Sequence, residues 1–348
     1  MNENEILLNE KNMLKKMSNK TSITLLFFLG LTYALAIIAK LALEKIIINN
    51  QELQDAVYLG LAFFIQFVVC APLAIMINNR KTKLELNKYF KKPKVKKAFV
   101  LKWIVIGMGL SFTINIIFTI IFAIIQMVID FEFSAPSFVP EQNFISIFSM
   151  TFAVMILAPL FEELIFRGSI YDNVKEFDDL LAILVMGFTF SLYHQNYAQF
   201  PSTFVLGMVS GFLVIKSKSI IPSIALHFCF NSIGGAQIFI LSTLKFDVTK
   251  LADASALGGL NMEYVMDNIV AFVLIMMIGF MVLTIALVGL IFFIIEIIKK
   301  RDENKLKKNS QLSIPRQLLI FVTAPITIIT IAVLLALSIM NIMGLGKI

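Results

Sequence analysis

The sequence predicts an all-α fold: a polytopic bundle of about eight to nine transmembrane helices, with a core of motif-bearing helices around an intramembrane cavity. Three observations lead there. Hydrophobic residues make up 58% of the 348 residues and charged residues only 15%, with a mean hydropathy of +0.86, whereas soluble domains carry ~25% charged residues. Apolar runs long enough to span as helices recur from one end of the chain to the other. The ionisable groups in the interiors of those runs fall in one stretch, Ala158 to Asn231.

In chain order, residues 1–21 are polar and charged and lack the apolar region of a cleaved signal peptide, so they read as a short cytoplasmic arm. Apolar runs near 22–44, 55–78 and 100–129 form an N-terminal group of transmembrane helices within 22–143, interrupted by the basic connector Arg80 to Lys97. The runs near 144–168, 180–197, 202–216 and 219–241 form the core, 144–241. Two more, near 268–297 and 317–344, lie within the C-terminal segment 242–348 and flank the polar connector Lys299 to Arg316. With the N-terminus inside and each of these nine runs crossing once, 25 of the 30 Lys and Arg residues fall on the inner side, while the Asp130 to Asn143 loop opposite carries only acidic charges. That asymmetry predicts a cytoplasmic N-terminus and an external C-terminus. It also accounts for the net charge of +7, so no nucleic-acid partner is expected and the lipid bilayer is the basic residues' natural neighbour. Cys70 and Cys229 stand in apolar runs without metal-ligand spacing, and imply neither a disulfide framework nor a zinc finger.

An ionisable group at membrane depth costs at least ~2.5 kcal/mol and is a functional candidate for that reason. Five fall between residues 162 and 227: Glu162, Glu163, Arg167, His194 and His227, the last two being the only histidines in the chain. Positions four apart share a helix face, so Glu163 and Arg167 are expected to pair as a supporting ion pair. Glu162, about 100° round the helix, is left as the free carboxylate. Pro159 removes a backbone donor and is expected to kink this helix beside the carboxylates. For antiparallel neighbours to bring Glu162 or Glu163 level with His194, the turn must lie near Asp178 and Asp179. His227 and Asn231, four apart, face one way on a helix beginning after Lys216-Ser217-Lys218-Ser219. Gly207 and Gly211 give the helix between a small face for close packing.

A carboxylate assisted by His acts as a general base toward water, and His and Asn side chains donate to an oxyanion. Such a set suits peptide hydrolysis. Metal assistance is the other reading, with zinc held by Glu162, His194 and His227 and a fourth position open. Residue types alone leave the two open.

The stretches Glu162-Glu163-Leu164-Ile165-Phe166-Arg167, Phe190-Ser191-Leu192-Tyr193-His194 and His227-Phe228-Cys229-Phe230-Asn231 resemble the EExxxR, FxxxH and HxxxN motifs of the CPBP group of intramembrane proteases. This is the CAAX prenyl protease and bacteriocin-processing family, also called Abi. The resemblance covers about residues 144–241. Members of its eukaryotic branch cut the last three residues from prenylated CAAX proteins. Carried over, the resemblance makes Glu162 and His194 the activators of water and His227 and Asn231 the oxyanion site, a mechanism that requires no metal.

Other classes stand beside this expectation. A transporter places ionisable groups at the midplane but often shows internal repeats, and no convincing repeat is found. A catalytically silent bacteriocin immunity or scaffold protein keeps the fold, yet every motif side chain is intact here. High Lys, Asn and Ile content points to a bacterial cell membrane, where prenylated substrates are not the first choice. Peptide substrates such as bacteriocin leaders, signalling-peptide precursors or membrane-protein remnants fit better.

Overall fold

The computed structural model describes residues 3–46, 50–129, 143–251, 259–299 and 303–342, helices joined by short connectors with no β-strand among these residues. In order they are α1 (Glu3–Glu44), α2 (Gln51–Asn79), α3 (Lys97–Ile129), α4 (Phe144–Val174), α5 (Asp179–Tyr193), α6 (Phe200–Ser217) and α7 (Ile221–Thr243). The short α8 (Met262–Asp267), the long α9 (Ile269–Lys299), α10 (Ile314–Val322) and α11 (Pro325–Ile342) follow. The chain is a multi-pass helical membrane protein.

Seven helices (α1, α2, α3, α4, α6, α7 and α9) are long and apolar enough to cross a membrane, and α10 with α11 makes an eighth if that pair, bent by 74°, is one span. Among the described residues the count is thus seven or eight rather than nine, and two local causes account for the difference. The apolar run 180–197 folds as the 15-residue α5, about 22 Å long at 1.5 Å per residue, short of the ~30 Å hydrocarbon layer. It stops at His194 because Gln195 takes a left-handed conformation at φ 50°, which ends a helix. In the run 317–344, Pro325 disfavours helical geometry at the residue before it, and the chain turns at Thr323 and Ala324. The polar residues expected as a separate arm belong to α1, which is helical from Glu3. Of the acidic loop expected at Asp130 to Asn143, residues 130–142 lie outside the described residues. Asn143 caps α4 by accepting from Ile145 N–H at 2.8 Å.

Burial sorts the helices into inner and outer. Two thirds of the most apolar stretch of α6 is buried (67%) against 11% of that of α9, so α6 lies inside the bundle and α9 presents its side chains outward, toward lipid. Close crossings depend on missing side chains. A Cβ built on Gly109 of α3 would stand 2.6 Å from the Gly289 Cα of α9, and one on Gly207 of α6 would stand 2.7 Å from the Gly187 Cα of α5. Without side chains at these points the backbones meet directly.

One end of the bundle is tied by carboxylates. Asp178, in the α4–α5 turn that sequence spacing expected, is 3% exposed. Its Oδ1 accepts from the N–H groups of Asn309 and Ser310 at 2.7 and 2.8 Å, and its Oδ2 from Gln317 Nε2 at 2.8 Å. Asp179 Oδ2 accepts from Lys307 N–H at 2.8 Å. The segment leading into α10 is thus fastened to the start of α5. Hydrogen bonds to a charged group are worth ~1.5–3 kcal/mol each, and removing one partner strands the others. Asp178→Ala is expected to lower the thermal unfolding midpoint of the detergent-solubilised protein by several degrees, whereas Lys83→Ala, on an exposed lysine, leaves it unchanged; a fluorescence melt of both variants checks this.

Candidate active site

The motif side chains are carried by α4, α5 and α7. In α4 the backbone widens twice into π-helical turns, at Ala153–Leu157 and Leu164–Ile170, and Glu162 and Glu163 end the α-helical turn between them. π-Helical turns are frequent at functional sites because they re-aim side chains. The first has a readable cause. Ala158 N–H bonds to Ala153 O, five residues back. In that register the donor for Val154 O would be residue 159, a proline without an N–H. The Asn231 Nδ2 group of α7 donates to Val154 O at 2.9 Å instead. Pro159 thus does not simply kink the helix, as its position had suggested. It frees a carbonyl that orients the asparagine of the third motif.

Glu163 is the centre of the cluster. Its Oε1 lies 2.9 Å from Arg167 Nη1 and 3.0 Å from His227 Nδ1, with Glu163 and Arg167 only 0% and 1% exposed. The expected pair is present, and His227 joins it. The Arg167 N–H groups find no aligned acceptor, but the guanidinium Cζ stands 4.3 Å over the Phe190 ring, a cation–π contact strengthened by desolvation. Phe190 also meets the rings of His194 and His227 edge-on, at centroid distances of 4.6 and 5.4 Å. The motif phenylalanine is therefore the shared floor of both histidines and the arginine, a role its spacing from His194 did not reveal.

Glu162 is 6% exposed, and its Oε2 lies 3.8 Å from His227 Nε2 with no hydrogen-bond partner. His227, not His194, is thus the imidazole within 4.0 Å of this carboxylate. His194 stands at the end of α5 rather than in a helix interior, half-buried, with Nδ1 2.8 Å from Phe190 O. A carbonyl only accepts, so Nδ1 carries the hydrogen and the Nε2 lone pair is left open. The loop after it is anchored at Gln195, whose Oε1 accepts from Tyr33 OH at 2.9 Å and whose carbonyl accepts from Asn341 Nδ2 at 3.1 Å. Nothing in the local sequence pointed to Tyr33 or Asn341, which lie 162 and 146 residues from Gln195.

The side chains form a packed polar seam whose more open members are His194 and Asn231. Among the described residues no group of three or more His, Cys, Asp or Glu is arranged to hold a metal ion; each histidine has Nδ1 on a protein oxygen and its Nε2 left over.

Fold and site together define a polytopic helical membrane protein with Glu, His, Arg and Asn gathered from three helices inside the bundle. Residues 144–233 match the family model described as type II CAAX prenyl endopeptidase Rce1-like. This is the CPBP family that the three motifs resemble, a protease family, and the matched segment contains every motif residue. The comparison with curated proteins gave no match, and neither did that with solved structures.

Two outcomes follow for the seam. Arg167→Ala leaves Glu163 buried without its cation, a change that costs about 3–5 kcal/mol, and Arg167→Lys restores only part because an ammonium lacks the planar face that lies on Phe190; thermal melts of both variants measure the difference. Gly207→Ala would place a Cβ 2.7 Å from the Gly187 backbone and 3.2 Å from Arg167 Nη2. It is expected to reduce both stability and any activity of the site, while Gly30→Ala, where nothing lies within 4 Å, changes neither.

Proposed function

We propose that the protein is an intramembrane endopeptidase that hydrolyses a peptide bond of a membrane-associated protein or peptide. The observation that carries this reading is the buried Glu162 carboxylate, whose Oε2 has no hydrogen-bond partner and lies 3.8 Å from His227 Nε2, inside the segment that matches a protease family.

In this reading Glu162, in the middle of α4, and the open Nε2 of His194, at the end of α5, take hold of one water molecule. The carboxylate accepts a proton as the water oxygen attacks the substrate carbonyl carbon, then passes it to the leaving amine as the C–N bond breaks. His227 and Asn231 stabilise the oxyanion that forms in between. Asn231 has one amide hydrogen on Val154 O and a second to offer. His227 holds its Nδ1 hydrogen toward Glu163, so it donates from Nε2 only when the ring carries both protons, with Glu163 as counter-ion. Glu163 and Arg167 then act as positioning residues for His227. Water activation by a carboxylate supplies the nucleophile without a metal.

The test is cleavage of candidate leader and lipidated peptides by the reconstituted full-length protein. Glu162→Ala and His194→Ala are each expected to lower kcat by about 100-fold or more, and Asn231→Ala by about 100-fold with KM little changed, as for loss of one oxyanion donor. Wild-type rates in both Glu162→Ala and His194→Ala would sink the mechanism. Cleavage is also expected to persist in strong chelator; loss of activity with rescue by zinc would assign the reaction to a metal.

A further inference from the structure

At the end of the bundle where α1, α2, the connector after α2 and α4 meet, buried hydrogen bonds fix a close approach. Asn173 Nδ2 donates to Thr21 Oγ1 at 3.1 Å and to Asn78 Oδ1 at 2.9 Å, Thr24 Oγ1 donates to the same Asn78 oxygen at 2.9 Å, and Asn78 Nδ2 donates to Ser169 O at 3.1 Å. Each anchor stands next to a charged residue: Lys20 before Thr21, Arg80 two beyond Asn78, Asp172 before Asn173. The connector comes in as well. Tyr89, 6% exposed, packs its ring where a Cβ on Gly168 would stand, 3.1 Å away. Burial pushes its phenol up to about 12, so the hydroxyl stays protonated and donates to Asp172 Oδ2 at 3.3 Å. Lys88 pairs with the same carboxylate oxygen, and Lys175 with the other at 2.8 Å.

The electrostatic surroundings of Lys20 are thus Arg80, Lys88, Lys16 and Asp172. Lys16, Arg80 and Lys88 gather around Lys20, with Asp172 as the one acidic group among them. That carboxylate is taken by Lys88 and Lys175, and among the described residues Lys16, Lys20 and Arg80 have no carboxylate within 4.0 Å. The positive-inside bias asks for basic residues on one side of the membrane, but it does not ask them to converge. Cations brought near one another repel, and here the buried asparagine and threonine contacts hold together the helix segments that carry them.

We propose that Lys16, Lys20, Arg80 and Lys88 form a binding site for a phosphate-bearing anion, either the headgroup of an anionic phospholipid or a free phosphate. Several ammonium donors and one guanidinium suit a phosphate's oxygens, and the site's place at the end of membrane helices is where headgroups lie. The proposal is independent of the protease reading.

The test titrates the full-length protein, in neutral detergent, with dioctanoyl phosphatidylglycerol, dioctanoyl phosphatidylcholine and inorganic phosphate, with binding read by calorimetry. Phosphatidylglycerol is expected to bind and phosphatidylcholine not. The double variant Lys20→Gln with Arg80→Gln is expected to bind about tenfold more weakly or worse, and Lys83→Gln with Lys92→Gln, in the same connector, as wild type. The more exposed pair Lys16→Gln with Lys88→Gln gives the same weakening if the first does not fold, and Lys20→Arg with Arg80→Lys retains binding. Inorganic phosphate that competes assigns a free phosphate as ligand, and phosphate that does not compete assigns the lipid headgroup; both support the site. Equal weakening in the Lys83 and Lys92 variant, or no binding of either anion by wild type, overturns it.

Discussion

One carboxylate oxygen carries the organisation of the bundle interior. Glu163 Oε1 is shared between Arg167 Nη1 and His227 Nδ1 at 2.9 and 3.0 Å, in surroundings that exclude solvent. A charge so placed must be matched locally, because desolvation is not repaid by water. Matching it fixes α4 against α7, and the guanidinium in turn requires a face to lie on, which Phe190 of α5 supplies. For α5 to come that near, α6 must press on it from behind without side chains in the way, which is the role of Gly187 and Gly207. Three motifs that look separate in sequence are successive consequences of burying one ion pair.

Backbone satisfaction works alongside it. In a membrane a carbonyl without a partner finds no water to replace it. Pro159 cannot donate to Val154 O, so Asn231 does, and α7 is held to α4 by a second tie one turn beyond His227. The same physics operates at the bundle end, where Asp178 and Asp179 take up backbone N–H groups of the segment leading into α10. Turn residues that sequence reading used only to set a register thus fasten a segment some 130 positions away.

The basic connector after α2 belongs to this end too. Its charge count reads as a topology signal, yet Tyr89 inserts against Gly168 at the foot of the motif helix, and Ile220 N–H and Lys94 N–H bond to Tyr89 O and Ser217 O at 3.4 and 2.8 Å. The connector is part of the packed structure beside α4 and the start of α7.

The sequence by itself determined the solvent, the fold class, the clustering of ionisable groups between 158 and 231, the Glu163–Arg167 pair and the turn at Asp178 and Asp179. All of these depend on composition or on spacing within one helix, where a fixed rise and rotation turn residue numbers into geometry. Only the tertiary structure decided which histidine lies beside Glu162, that Phe190 supports both imidazoles, that Asn231 answers a carbonyl freed by Pro159, and that Tyr33 and Asn341 hold the loop of His194. These depend on where helices distant in sequence are placed, and on a short α5 ended by a left-handed residue that no periodicity announces. Apolar composition is nearly uniform along such helices, so it cannot specify which faces meet; the few buried polar contacts do.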